Sequence, residues 1–304
     1  MRKALHAIPG QPFDRRARER AKAMNPYYQD TCCTIYNGDC REVLPQLSNV
    51  PLVVTSPPYN LGSRPWPHWG HWKPGDSVGG KSKWKNGSDG SGGVKYGVHR
   101  DNLPWPEYVA LQHEVVSMLW RVLCDKGAIF LNHKPRVIGG KLWMPTELLP
   151  AEVILRQIVI WARPGGLNYN PTAFVPTHEW VMILAKEKWR LKSKGVSGMG
   201  DVWRIATERS PHPAPFPVDI PAKAIEATAA TLVLDPFMGS GTTLRAAKAA
   251  GIRAIGIDVD EGYCEMAANR IQDEDARAGQ GECPGTACNS ASPKAVQEVL
   301  ELGL

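Results

Sequence analysis

From residue 33 the chain alternates short apolar runs with amphipathic stretches. The run "CTIYNGDC" (33–40) predicts a strand ending at Asp39, and "REVLPQL" (41–47) a short helix. "PLVVTSPPY" (51–59) reads as a buried strand of β-branched residues stopped by two prolines. Apolar positions at helical spacing in "PEYVALQHEVVSMLWRVL" (106–123) predict an amphipathic helix closed by "DKG". Three strands follow, "AIFLN" (128–132), "EVILRQIVIWAR" (152–163) and "HEWVMILAKE" (178–187). The last third repeats the rhythm. "IPAKAIEATA" (220–229) predicts a helix, "TLVLDPF" (231–237) a strand, "MGSGTT" (238–243) a glycine turn and "LRAAKAAG" (244–251) a helix closed by Gly251. "RAIGIDV" (253–259) is then a strand and "EGYCEMAANRIQ" (261–272) its helix. Seven strands alternating with helices predict an α/β fold, a doubly wound, mostly parallel seven-stranded sheet.

Three stretches break this rhythm. Residues 1–30 form a basic arm with a short helix over 13–24, and 279–304 a small-residue polar tail; the folded domain spans 31–278. Residues 62–97 carry Gly, Ser, Lys and Trp without any apolar period, which predicts a long mobile insertion. Residues 188–211 read as short, basic and irregular.

The 304 residues carry a net charge of +6, and 43% are hydrophobic, enough for a buried core. No apolar run approaches the ~20 residues of a membrane helix, so no membrane is expected as a partner. The arm and the insertion each carry a net +4, more together than the whole chain, so the remainder is slightly acidic. Such segregation suits a nucleic-acid surface, and equally a pair of solvated basic segments. The seven cysteines, Cys32, Cys33, Cys40, Cys124, Cys264, Cys283 and Cys288, contain no C-x-x-C pair. They predict a reduced compartment and no zinc site, and the histidines show no ligand spacing, so no metal is expected.

Two turns carry candidate chemistry. At the first, a strand ending in Asp235 runs through Pro236 and Phe237 into Gly239, Ser240, Gly241, Thr242 and Thr243, then a helix. Nineteen residues beyond Gly239, at the end of the next strand, Asp258 stands where an acid reaches the two hydroxyls of a ribose. No lysine follows the glycines, which excludes a phosphate loop, and Leu244 stands where a dinucleotide site has its third glycine. Two glycines behind Asp-Pro-Phe suit a nucleoside ligand with an amino-acid group and no pyrophosphate, such as S-adenosyl-L-methionine. A plain strand-to-helix turn is the other reading. At the second turn, "TSPPYN" (55–60), two prolines keep the preceding carbonyls out of regular hydrogen bonding, Ser56 adds a hydroxyl acceptor and Tyr59 a flat ring. Converging acceptors beside a stacking platform are what an exocyclic amino group on an aromatic base requires; a strand terminator with a packed tyrosine would look the same.

In combination and order, these segments resemble the β-class amino-directed DNA methyltransferases, in which the catalytic motif precedes the cofactor motif. "TSPPYN" resembles their catalytic motif, "DPFMGSGTT" their cofactor motif, "GIDVDEGY" their ribose-binding segment, "HPAPFPVDIPAKAI" (212–225) the segment that closes over the methionine part, and "IYNGDC" (35–40) the piece whose acid, here Asp39, faces adenine. The resemblance covers residues 33–270 and implies a circularly permuted Rossmann-like fold. It implies Ser56, Pro57, Pro58 and Tyr59 as catalytic residues. It also implies cofactor contacts from Asp39, Cys40, Thr55, His212, Pro213, Phe216, Asp235, Pro236, Phe237, Gly239, Ser240, Gly241, Thr242, Thr243 and Asp258. The implied partner is double-stranded DNA, with a cognate restriction endonuclease as a further one, in the cytoplasm of a bacterium or of a phage host. The base would be flipped out of the duplex. No cysteine follows a proline in a catalytic-looking turn, which argues against carbon-5 methylation. Serine at the opening of the catalytic motif resembles cytosine-N4 enzymes, where adenine-N6 relatives more often carry Asp or Asn. Trp66, Trp69, Trp72 and Trp84 interleaved with Lys73, Lys81, Lys83 and Lys85 suit an unstacked strand and its phosphates, or a linker whose tryptophans pack on the body. His178 and Glu179 could line the base pocket or merely begin a strand, and Trp161 reads as a core residue.

Overall fold

The computed structural model describes residues 25–60, 102–138, 141–164, 174–207 and 216–278. In chain order the strands are β1 (Tyr28–Gln29), β2 (Cys33–Asn37), β3 (Val50–Thr55), β4 (Leu123–His133), β5 (Arg136–Ile138), β6 (Lys141–Trp143), β7 (Leu155–Ala162), β8 (His178–Ala185), β9 (Val202–Arg204), β10 (Leu232–Asp235) and β11 (Arg253–Asp258). The helices are α1 (Cys40–Val43), α2 (Trp105–Val122), α3 (Lys194–Ser197), α4 (Asp219–Ala227), α5 (Thr242–Ala249) and α6 (Glu261–Ala278). Nine strands form one sheet in the order β1-β2-β11-β10-β3-β4-β8-β7-β9, and β5 pairs with β6 in a separate hairpin.

Strands β2, β11, β10, β3 and β4 are mutually parallel. Both faces are covered, which is why these strands read as unbroken apolar runs. In β4, Ala128 and Phe130 face one cluster, with Ile220 of α4, Leu244 of α5 and Ala267 of α6. Ile129 and Leu131 face the other, with Val43 of α1 and Val115, Val116 and Leu119 of α2. Helix α2 buries Tyr108, Gln112, Val115, Val116, Leu119 and Val122, one stripe at helical spacing. Chain order reverses between β10 and β3. From β3 the chain passes through α2 to β4 on one side, and from β10 through α5 to β11 on the other, so a switch point opens at the strand ends.

All seven predicted strands are present, extended at the edges by the short β1 and β9. Other expectations need correction. Helix α2 does not close on "DKG": it stops at Val122, and Gly127 lies inside β4, where a Cβ would come within 2.9 Å of the Val50 carbonyl on β3. Strand β3 ends at Thr55 and not Tyr59, because the two prolines that follow donate nothing to a ladder. The stretch at 188–211 is not wholly irregular; it contains α3 and β9, and Trp203 of β9 is buried against the core. Strands as short as β9 lack a readable period. Cys33, Cys40, Cys124 and Cys264 are free, whereas Cys32 is disulfide-bonded, against the all-thiol expectation at that position. The predicted helix at 13–24, the 62–97 insertion and the 279–304 tail lie outside the described residues. Among the described residues no helix is long and apolar enough to cross a membrane.

Candidate active site

The five parallel strands deliver Asn37, Asp258, Asp235, Thr55 and His133 to one edge of the sheet. Strand β8 runs antiparallel to β4, so its first residues, His178 and Glu179, arrive at the same edge. This edge holds both turns singled out in the sequence.

Asp235 clamps the switch point. Its Oδ1 accepts from Thr55 Oγ1 at 2.8 Å and from the Phe237 amide at 3.1 Å, and its Oδ2 accepts from Thr243 Oγ1 at 2.6 Å. One buried carboxylate thus ties the ends of β3 and β10 to the start of α5. Burial pushes its pKa up to about 6, against the pull of these donors. Asp235, Thr55 and Thr243 therefore spend their side chains on one another. Ser240 is likewise engaged, its Oγ accepting from Arg270 of α6 at 2.6 Å. Gly241 has φ +79°, and a Cβ there would lie 2.8 Å from that of Ala267, so its glycine is demanded by helix packing.

Asp258 holds the turn from the other side. Its Oδ2 accepts from the Gly239 amide and its Oδ1 from the Asp260 amide, both at 2.9 Å. Each oxygen keeps a second lone pair, enough for two vicinal hydroxyls. Burial raises this carboxyl to about 6 as well. Asp39 caps α1 and is bridged by the Arg41 guanidinium at 2.6 Å, on the half-exposed side of the same edge. The Cys40 side chain is not at the edge: it packs into the core with Val43 and Leu44, and burial pushes its thiol up to about 12. Phe237 and Phe216 are partly buried, on opposite faces of the sheet. An acid with a spare acceptor position on each oxygen, fixed beside the glycine turn by the Gly239 amide, fits the ribose of S-adenosylmethionine.

The turn from Ser56 to Asn60 is braced along its length. Tyr108 Oη donates to the Pro58 carbonyl and lies 2.9 Å from His133 Nε2. His133 Nδ1 accepts from the Lys134 amide at 2.8 Å, so its proton sits on Nε2, and burial keeps the ring neutral by pushing its pKa down to about 3. The Tyr59 ring packs on His133 with centroids 4.3 Å apart, and Lys134 Nζ stands 5.5 Å over its centroid. Arg136 holds the Tyr59 carbonyl at 2.7 Å and that of Asn60, a residue with φ +53°, at 3.2 Å. Among the described residues no donor reaches the Pro57 carbonyl.

A buried polar cluster closes the site. Tyr59 Oη lies 3.1 Å from Ser56 Oγ and donates to Glu179 Oε2 at 3.0 Å. Asn132 Nδ2 donates to Tyr59 Oη and to Glu179 Oε2, and Arg163 pairs with Glu179 Oε1 at 3.3 Å. Glu179 thus lines this site. Trp161 is a core residue, bound through Nε1 to the Ile205 carbonyl. His133, Asn132, Tyr108, Arg136 and Arg163 were not read from the sequence. The usable signal was the polar pair "NH" ending the apolar run of β4, at the edge where open α/β sheets bind ligands. The sequence-predicted Trp66, Trp69, Trp72, Lys81, Lys83, Lys85, His212 and Pro213 lie outside the described residues.

A doubly wound sheet with an acid-and-glycine turn beside a serine–proline–proline–tyrosine turn defines the S-adenosylmethionine-dependent methyltransferases of exocyclic amino groups. A DNA methylase family, that of the N6 and N4 enzymes, matches residues 50–269, most of the chain, and the chain belongs to it. Its relatives include the type II methyltransferase M.BglII of Bacillus subtilis, 28% identical over 77% of this chain and 67% of that one. Another is M.ScaI of Streptomyces caespitosus, 26% identical over 87% and 90%. Among solved structures, the fold is shared with the cytosine-N4-specific PvuII DNA methyltransferase, at TM-score 0.60 and 18% identity over 91% of this chain and 94% of that one. It is shared too with a DNA modification methylase described as putative, from Thermus thermophilus, in complex with S-adenosyl-L-methionine, at TM-score 0.54 and 22% identity over 83% and 94%. The protein is a site-specific DNA methyltransferase that uses S-adenosyl-L-methionine.

Proposed function

We propose that the methyl group goes to the N4 amino group of a cytosine flipped out of double-stranded DNA. The observation that carries this reading is Ser56, a neutral acceptor at the opening of a motif where adenine-directed relatives more often carry Asp or Asn. In this reading Ser56 Oγ and the Pro57 carbonyl accept the two amino hydrogens, which draws the nitrogen lone pair out of conjugation with the ring. Pro58 fixes the backbone, and Tyr59 stacks on the base. S-adenosylmethionine, when bound, supplies an electrophilic methyl group. Asp258 would hold its ribose, the Pro236–Gly239 turn with Phe216, His212 and Pro213 would line its amino-acid end, and Asp39 would face its adenine. Asp235, Thr55, Ser240, Thr242 and Thr243 would shape that pocket from behind. The protein's contribution is positioning and in-line alignment, worth several kcal/mol of barrier without any covalent intermediate on the enzyme.

Trp66, Trp69, Trp72, Lys81, Lys83 and Lys85 are assigned to the DNA, and residues 188–211 together with 62–97 to recognition of the target sequence. Because its relatives are type II methyltransferases, a cognate restriction endonuclease and a bacterial or phage-host cytoplasm complete the proposal. Ser56→Ala tests the assignment of the acceptor. The missing hydrogen bond acts on the reacting amino group, so single-turnover rate should fall about tenfold or more while DNA affinity holds. Equal losses in rate and affinity would contradict it.

A further inference from the structure

Transfer to an exocyclic amine leaves a proton to be placed. The nitrogen lone pair forms the new N–C bond, the carbon–sulfur pair returns to sulfur, and one N–H proton must depart. Ser56 is a poor destination, because a protonated hydroxyl is a strong acid. The buried cluster behind it has a fixed direction. Glu179, paired with Arg163 at 3.3 Å, is an acceptor only, so the Tyr59 hydroxyl must donate to it, at 3.0 Å. Asn132 Nδ2 also faces that carboxylate, which sets the amide's orientation and makes it a donor to Tyr59 Oη. Tyr59 Oη has spent its hydrogen on Glu179, so across the 3.1 Å contact Ser56 is the donor. Asn132 Nδ2 also reaches Ser56 Oγ, at 3.4 Å, and the remaining lone pair of that oxygen is left to accept from a substrate.

We propose that Glu179 is the terminal proton acceptor of the reaction, reached through Ser56 and Tyr59. The amino proton passes to Ser56 Oγ, the Ser56 proton to Tyr59 Oη, and the Tyr59 proton to Glu179 Oε2. Each oxygen makes one O–H bond as it breaks another, and the chain ends with a neutral carboxylic acid that later releases its proton to water. This explains a carboxylate only 6% exposed beside the catalytic turn, whose burial is costly unless it is paired. Two polar atoms of the cluster, Asn132 Oδ1 and Arg163 Nε, are buried without a partner among the described residues, so the cluster is not merely a closed structural knot. Antiparallel β8 puts this acid where the motif itself carries only a hydroxyl.

The inference rests on amino-group methylation but not on which base is used. Wild-type protein is first shown to methylate unmodified plasmid DNA, which tests that reading alone. Single-turnover rates are then measured in H2O and D2O for wild type, Glu179→Gln, Tyr59→Phe and the double variant. Cofactor and DNA affinities are measured alongside by tryptophan quenching and anisotropy. Tyr59→Phe keeps the ring and its packing on His133, so a folded comparison exists even where Glu179→Gln is unstable. Each single variant should lose about a hundredfold in rate with both affinities held, the range typical of a positioned proton acceptor. The double variant should lose no more than either, since both break one path. The wild-type solvent isotope effect should disappear in the variants. A near-wild-type rate in Tyr59→Phe, losses that multiply in the double variant, or rate and affinity falling together would overturn the proposal.

Discussion

Burial presses on Asp235 and Asp258 in the same direction, and each reveals it differently. Both carboxyls sit near 6 in the folded chain, above their ordinary value, so ionisation costs the folded state more than the unfolded one. Their contribution to stability is therefore largest at acid pH and is lost as pH rises from the usual carboxylate range through about 6. Asp235→Asn should remove its share: relative to wild type, the variant should gain on the order of 2–3 kcal/mol between pH 4 and 7.5, by urea unfolding at each pH. Thr243→Val takes a 2.6 Å donor from the same carboxylate and should cost about 1–3 kcal/mol at neutral pH. With the ribose assigned to it as proposed, Asp258 reports through the cofactor. Protonation removes its charge and one acceptor position, so S-adenosylmethionine affinity should fall as pH drops through about 6. Asp258→Asn should bind weakly at every pH, with that dependence gone, as calorimetry would show. The sequence identified both acids but not their division of labour, because which side chain turns inward depends on partners far along the chain, such as Thr55.

At the scale of elements, periodicity served best where both sheet faces are covered, and the seven main strands were legible from their apolar runs. It failed where a tertiary contact replaces a local signal. "DKG" looks like a helix stop, yet Gly127 is a strand residue that lets β4 approach Val50. Gly127→Ala should lower stability by about 1–3 kcal/mol, since the Cβ would meet backbone that cannot swing aside. Gly241 looked like a residue for close ligand approach, but a side chain there would strike α6 and strain a left-handed backbone. Gly241→Val should therefore depress the melting temperature as well as cofactor binding, whereas Asp258→Asn should weaken cofactor binding without depressing the melt. Thermal scans of the two variants check this contrast. The direction of β8 was illegible, because an apolar run of eight residues has the same pattern parallel or antiparallel. That direction decides whether Glu179 meets the turn that carries Ser56 and Tyr59.

For the whole molecule, motif order is legible in the sequence and points to this family, while the segregated charge suits DNA and a pair of solvated segments equally. What they could not supply was the interior of the site. Its polar members come from β3, β4, β7–β8 and α2, and only the sheet order brings them together. The proposed DNA interface makes a prediction at this scale. Neutralising Lys81, Lys83 and Lys85 should flatten the dependence of DNA affinity on salt, by about 0.9 in log–log slope for each phosphate that is no longer neutralised. An unchanged slope would remove these lysines from the interface. The central claim is the identity of the methylated base. It is tested most directly by digesting DNA methylated by the pure protein to nucleosides and resolving them by mass spectrometry. N4-methylcytosine is the predicted product, and N6-methyladenine as the sole product would contradict the account.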